Sequence, residues 1–302
     1  MANPNERSCP ITLVSIGSAL IRGLAALPPS FGSRVGAALG WCLYWVASSR
    51  RQVCERNISV CFADWTASEQ RRLVHQCFIE HGIGLVETAW AWHRPTNFIA
   101  DRLEITGQDL VETALKNDQG ILLLCPHYSM LDLVAPIVHQ CVGQFVISYR
   151  PHDNAEFDRE VVRGRSRFGS LVNVRSIRDI VKRLKAGELV WFGPDQDMGV
   201  RGIVFAPFFG RPASTVTTPA RLARMSGATT LFLELHRRQG RYRVQFRAMP
   251  DDYPSDDELA NATALNQMIE SALSHQPAQY MWMHKRFKTN PDGSRQTLYQ
   301  SC

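Results

Sequence analysis

The chain reads as an α/β protein with a mixed, largely parallel sheet flanked by helices, entered through apolar N-terminal helices. Three observations carry this. Short apolar runs ("GILLLCP", "GQFVISYR", "ELVWFGP", "ATTLFLEL", "RYRVQFRAM") recur along the chain, and helical-period stretches separate most of them, an alternation that builds a sheet covered by helices. Gly, Pro and polar residues punctuate the runs, and no low-complexity segment or internal repeat interrupts them. Two apolar blocks, Ile11 to Leu27 and Val35 to Ala47, precede all of this. They suggest a division into an N-terminal region, 1–60, and a main domain, 61–302.

The elements follow in order. Ile11 to Leu27 sits between Pro10 and Pro28-Pro29; it is at the lower limit for crossing a bilayer, and Arg22 at the midplane would cost roughly 2.5–3.5 kcal/mol. On a helix, Thr12, Ser15, Ser18 and Arg22 form one narrow polar stripe. The second block carries Trp41, Tyr44 and Trp45 and runs into Arg50, Arg51 and Arg56. Interfacial aromatics followed by arginines fit a segment resting on a membrane surface with its basic end in the cytoplasm, either monotopic or marginally spanning. The leader lacks the basic start and small-residue cleavage site of a signal peptide.

Beyond Asp64, Thr66 or Ser68 caps a long helix, and further helices are expected over Leu131–Gln140, Asn154–Phe168, Ser176–Ala186 and Pro219–Ser226. Thr218 caps the last of these, and Gly227 ends it. Ser255 and Glu258 have the spacing of a capping box for a closing helix.

Composition narrows the partners. A chain of 302 residues with net charge +6 and pI ≈ 9.0 favours contact with something anionic. The basic residues match no nucleic-acid module and follow membrane-like segments, which argues against nucleic acid. Eight cysteines are scattered without a C-x-x-C pair, pointing to mostly buried free thiols in a reducing compartment and away from a zinc site.

The chemistry is expected at "CPHYSMLD". A strand-like run stops at Pro126-His127, and Asp132 lies near the start of the next helix. With His127 on the loop and Asp132 in the first helical turn the two can meet; the acid then fixes the imidazole tautomer and leaves the other nitrogen to take a proton from a hydroxyl. Arg150 stands at a strand end, placed to bind phosphate or a tetrahedral oxyanion. Arg159, Arg163 and Arg167 fall at i, i+4 and i+8 on an expected helix and form a cationic stripe suited to phosphates. Asp195 and Asp197 flank Gln196 after another strand, the pattern either of a turn or of a divalent-metal site. The aromatic loop with Phe205, Phe208 and Phe209 offers a lining for an acyl chain or packing against the sheet. The remaining histidines lack metal-site spacing.

Four ordered blocks together resemble a known family: "PHYSMLD" (126–132), "SYRPHDNAEFDREVVRGRSRFG" (148–169), "WFGPDQDMGVRGIVFAPFFGRPASTVTTPARLARMSGA" (191–228) and "PAQYMWMHKRFKTNP" (277–291). The chain is similar to the lysophospholipid acyltransferase-like superfamily, and within it to the late (secondary) acyltransferases of lipid A biosynthesis. The resemblance implies a glycerolipid acyltransferase-like fold over 61–302 and acyl transfer from acyl carrier protein or acyl-CoA to a hydroxyl of a lipid A precursor. It implies the cytoplasmic face of the bacterial inner membrane as the place, with no cofactor and no metal. His127 matches the family's base and Asp132 its acidic partner. Many lipid A members have Glu at the second position and Asn before the His; Asp132 and Pro126 depart from that, which leaves a lysophospholipid or aminolipid acceptor open. The match favours an active-site loop without metal, with Asp195 orienting an arginine or the backbone; His284, Lys285, Arg286 and Lys288 read as surface or acyl-carrier contacts. A metal-dependent membrane glycosyltransferase using Asp195 and Asp197, and a non-catalytic peripheral membrane protein, are the rival readings.

Overall fold

The computed structural model describes residues 13–199, 201–295 and 297–300. Four helices come first: α1 (Leu13–Ala26), α2 (Pro29–Val46), α3 (Ser48–Cys61) and α4 (Ala67–His93). Then follow β1 (Leu103–Thr106), α5 (Gln108–Lys116), β2 (Ile121–Leu124), α6 (Val134–Val142), β3 (Phe145–Tyr149), α7 (Ala155–Arg165), β4 (Gly169–Asn173), α8 (Ile177–Lys185) and β5 (Leu189–Phe192). A hairpin of β6 (Ile203–Phe208) and β7 (Arg211–Val216) leads to α9 (Thr218–Ser226), β8 (Thr229–Arg238), β9 (Arg241–Ala248) and α10 (Glu258–Leu273).

The main sheet has seven strands in the order β1-β9-β8-β2-β5-β3-β4. Strands β8, β2, β5, β3 and β4 run parallel, and β9 turns back antiparallel to β8 with β1 parallel to it. This is the mixed, largely parallel sheet the sequence predicts. The central runs are fully buried: β2 and β5 have no exposed position, as strands covered on both faces require. Helices α6 and α7 carry the chain from β2 to β3 and on to β4, whereas α8 and α9 return in the opposite lateral direction. Right-handed crossovers therefore place α6 and α7 on one face and α8 and α9 on the other. Helix α4 packs beside α7 on the first face, and α1 and α2 pack on α4.

Helix starts follow local chemistry. Thr66 caps α4 in a full capping box with Glu69. The cap of α9 is Thr217, one residue before the expected Thr218, with Pro219 inside the first turn. Asp257, not Ser255, caps α10: its carboxylate accepts from the amides of Leu259 and Ala260, while the Ser255 hydroxyl donates to the Asp257 carbonyl. A carboxylate answers the free N–H groups better than a hydroxyl two positions too early. Asp132 lies in a short 3-10 turn, Leu131–Leu133, ahead of α6. The aromatic loop Phe205–Gly210 is mostly strand, in the β6–β7 hairpin.

Helix α2 approaches α4 backbone to backbone. Gly36 and Gly40 face Gly82: a Cβ at Gly40 would stand 2.2 Å from the Phe78 carbonyl oxygen, and one at Gly36 2.6 Å from the Ile83 Cα. With glycines turned inward, the bulky residues turn outward, and Phe31, Trp41, Trp45 and Val46 are exposed, Val46 at 79%. No described helix is long and apolar enough to cross a membrane, so the spanning alternative has no helix to carry it among the described residues. Thr12 lies outside those residues.

Six cysteines fall within the described residues and are free thiols. Cys54, Cys77 and Cys125 are buried, and Cys42 is exposed.

Candidate active site

Strands β2 and β5 are neighbours, with Leu124 opposite Phe192 in register. Each strand then ends in the same way: three residues on, past Pro126 and Pro194, stand His127 and Asp195. Equal offsets from a registered pair bring the two side chains together at the carboxyl end of the sheet, where α/β folds hold ligands. The His127 ring Nδ1 lies 2.6 Å from Asp195 Oδ1, and the His127 backbone N–H donates to Asp195 Oδ2 at 3.0 Å. An ionised carboxylate only accepts, so Nδ1 carries the proton and Nε2 keeps its lone pair. The imidazole is slightly open to solvent and the carboxylate is sealed, 15% and 2% exposed respectively.

Burial alone would raise the pKa of Asp195. The His127 charge, its two hydrogen bonds and the Arg286 guanidinium outweigh that and hold it at about 2. The stability it contributes is therefore fully present above its usual 3.8 and is lost as pH falls through about 2. The buried Tyr280 hydroxyl lies beside the same carboxylate; burial and then that charge keep it protonated.

This arrangement corrects the expected pairing. The imidazole partner is Asp195, and Asp132 instead accepts from Arg165 Nε at 2.8 Å. The reason is local. The turn Leu131–Leu133 points the Asp132 carboxylate toward the end of α7, while the adjoining loop after β5 delivers Asp195 to Nδ1. Desolvation would weaken the Arg165 charge, but Asp132 reverses this and raises its pKa. Arg165, which the sequence reading passed over, lines the same cleft as His127.

That cleft has a volume of ≈ 790 Å³ and runs past His127, Arg150, Arg165, Arg175, Gln196 and Arg201. A smaller apolar recess adjoins it. The recess is walled by Val134, Ala135, Phe145 and Ile147, and it shares Leu131, Arg165 and Trp191 with the cleft.

Gly193 forms the floor under the imidazole. A Cβ there would stand 2.6 Å from His127 Cε1 and 3.2 Å from Nε2. Gly193→Ala is expected to displace the ring and lower kcat by about 100-fold, with the melting temperature close to wild type. An unchanged kcat would show that the ring position is not set from below.

The C-terminal block is the strap that holds the His127 loop. The Met281 N–H donates to the His127 carbonyl at 3.0 Å, Ser129 N–H to the Gln279 carbonyl at 2.7 Å, and Tyr128 bridges Tyr280. Arg286, expected at the surface, is buried: it donates to the Ser214 carbonyl at 2.6 Å and to the Thr215 hydroxyl at 3.1 Å, and it lies over the Phe208 ring. Lys288 donates to the Asp197 carbonyl at 3.2 Å. Burial lowers the pKa of His284 to about 4.

Other predicted residues separate from the centre. Asp197 accepts from the Gly199 and Thr289 amides and the Thr289 hydroxyl; it anchors the strap. Both carboxylates of the D-x-D are thus occupied by protein donors, and neither is turned out to receive a metal. Helix α7 ends at Arg165, so Arg167 leaves the expected stripe and donates to the carbonyls of Ala91 and Arg94. Arg159 and Arg163 remain exposed on α7, Arg163 beside Glu160 at 3.8 Å. Phe208 is buried among Phe209, Tyr280, Trp282 and Phe287, and Phe209 packs on Phe62 and Trp282. Neither these two nor Phe205 lines the cleft: Phe208 and Phe209 meet the strap and α10, and Phe205, three residues before Phe208 on β6, leaves the other face of the strand. Cys125 is buried with its pKa pushed up by desolvation, which removes it as a nucleophile.

A carboxylate-oriented imidazole with a free nitrogen over a cationic cleft is an arrangement chemically able to take a proton from a hydroxyl. The sequence profile of the bacterial lipid A biosynthesis acyltransferases matches residues 3–289, and the chain belongs to that family. It is 34% identical over 286 residues to the lipid A biosynthesis lauroyltransferase of Escherichia coli (strain K12), covering 93% of each chain. It is 33% identical to the palmitoleoyltransferase of the same organism, covering 87% of this chain and 85% of that one, and 26% identical to the myristoyltransferase, covering 93% and 88%. The protein is an acyltransferase of lipid A biosynthesis.

Proposed function

We propose that the enzyme moves a fatty acyl chain from acyl carrier protein to a hydroxyl of a lipid A precursor, at the cytoplasmic face of the inner membrane, with His127 as general base. The observation that carries this reading is the Nδ1–Asp195 bond, which leaves Nε2 as the proton acceptor facing the cleft. Nε2 takes the proton as the hydroxyl oxygen attacks the thioester carbonyl. The carbon–oxygen bond forms, the carbonyl electron pair becomes an oxyanion, and the carbon–sulfur bond breaks as the oxyanion collapses. The imidazolium then returns its proton to the departing thiolate.

Arg165, fixed by Asp132, is the cation placed to meet the oxyanion. Asp132 is then a positioning residue acting through that guanidinium. Arg150, Arg175 and Arg201 suit the phosphates of the acceptor, with Arg159 and Arg163 on α7 as outer cations. The ≈ 790 Å³ cleft, not Phe205, Phe208 and Phe209, has the room for the hydrocarbon chain; the recess behind Leu131 and Trp191, at ≈ 20 Å³, is too small to hold it. The outward face of α2, ending at Trp45 and Val46 ahead of Arg50 and Arg51, rests on the lipid surface as an interfacial segment of the 1–60 region.

The test is transfer by purified protein in mixed micelles, with acyl carrier protein thioester as donor and a lipid A precursor as acceptor. Product mass should rise by one acyl group, and EDTA should leave the rate unchanged. An intact thioester after long incubation would overturn the reading.

A further inference from the structure

The positive charge of this protein is not spread evenly. Helix α8 carries four cations and one carboxylate, and α9 carries two cations and no carboxylate. The whole chain has a net charge of +6, so these two short helices account for most of it. They pack side by side. Their apolar faces, Ile180, Val181 and Leu184 in one and Leu222 and Ala223 in the other, are buried against the sheet. Arg178, Lys182, Lys185 and Arg221 project into solvent, and none has an ion-pair partner among the described residues. Packing does not need cations there. Unpaired like charges on adjoining helices repel one another, so the patch persists against a cost that folding alone does not explain.

Its position is equally informative. Val174 and Arg175, which lead into α8, Ile177, its first residue, and Thr218, the first residue of α9, all line the cleft. At about 1.5 Å per residue, every cation from Arg178 to Lys185 stands within roughly 12 Å of that rim along the helix. The exposed apolar face of α2 lies on the opposite side of the sheet, beyond α4. One flat lipid surface cannot cover both, so the basic face calls for a soluble partner.

We infer that the α8–α9 face is the docking surface for an acidic carrier protein, which seats there and passes its thioester arm over the α8 N-terminus into the cleft toward His127. This rests on the acyl-transfer reading above and adds the place of the donor. Charges of this kind set encounter rate and partner choice more than chemistry, so they act on KM for the carrier-borne donor.

The test is the double variant Arg178→Glu/Lys182→Glu, both exposed and outside the catalytic machinery, assayed with two donors. One is the acyl group on acyl carrier protein; the other is the same acyl group on pantetheine, which has no protein to dock. The expected result is a KM for the carrier donor raised about tenfold or more, a kcat near wild type, no change with acyl-pantetheine, and a difference that shrinks in high salt. Equal kinetics with both donors in wild type and variant would overturn the docking surface while leaving acyl transfer intact. So would a loss of vesicle binding without a donor-specific effect, which assigns the patch to lipid. Wild-type protein that consumes neither donor would overturn the functional reading itself, and the docking surface with it.

Discussion

Replacing His127 with Ala is expected to lower the single-turnover rate of acyl transfer by on the order of 10³–10⁴-fold with vesicle binding unchanged, and to lower the melting temperature, because the sealed Asp195 carboxylate loses its imidazole partner. Asp195→Asn should come close to this loss of rate, although it keeps size and shape. The Asn carbonyl can still accept from the His127 backbone N–H, which places its amide N–H₂ against Nδ1. Nδ1 must then accept, the ring proton moves to Nε2, and the base is lost without displacement of any atom. Asp195 is held at about 2, so it stays ionised throughout any workable range, and a loss of rate on mild acidification does not come from its protonation. An Asp195→Asn enzyme with near-normal turnover would refute the dyad. In that event Asp132→Asn becomes the decisive variant, because it alone could supply another acid.

The second large effect concerns stability. Glu87, in the middle of α4 and fully buried, accepts from Arg237 and, at 2.7 Å, from the Tyr242 hydroxyl. Arg237 also binds Glu80, and its backbone exchanges two hydrogen bonds with the Gln279 side chain, at 2.9 and 2.7 Å. Desolvation opposes the Arg237 charge, but the two glutamates raise its pKa despite this. Glu87→Ala leaves the buried Tyr242 phenol without its acceptor and the buried Arg237 with Glu80 as its remaining carboxylate. The expected loss is about 3–5 kcal/mol of unfolding free energy, read as a shift in a urea melt. The double variant Glu87→Leu/Arg237→Met should lose less than Glu87→Ala alone, since it removes the half-compensated buried cation and leaves only Glu80, which reaches solvent. A greater loss in the double variant would show that the network acts through packing and not through charge.

Much of this architecture was readable from residue order, and the failures have physical causes. The runs that became β2, β3, β5, β8 and β9 are continuous or alternating apolar segments of ordinary strand length. β1 and β4 were missed because "LEIT" and "GSLVN" are short and half polar. His127 was found because an imidazole after an apolar strand is costly unless something uses it. Its partner was missed because proximity in sequence favoured Asp132, whereas the pairing depends on which strands are neighbours. The signal was present: Pro126-His127 and Pro194-Asp195 each follow an apolar run at the same offset. Only the β2–β5 register makes that coincidence meaningful. Arg167 failed for a smaller reason, because α7 ends two residues earlier and the periodicity that joined it to Arg159 and Arg163 stops there. Arg286 was placed outside because a cation in a basic stretch reads as solvated; the Phe208 ring and three neutral oxygen acceptors, on Ser214, Thr215 and Asn266, bury it.

The strap over the His127 loop also bears on how the enzyme comes into being. The Met281 amide reaches back across more than half the chain to the His127 carbonyl, and Asn57 of α3 reaches farther still, to the carbonyls of Trp282 and His284. During synthesis the sheet strands leave the ribosome well before residues 277–289 arrive to close the loop. Until then the imidazole has its carboxylate but no scaffold, so a nascent chain can collapse around its sheet and still be inert. Such distant contacts form late and slowly. The support of the His127 loop is therefore complete only once the C-terminal block has been made, after every helix and strand that it ties together.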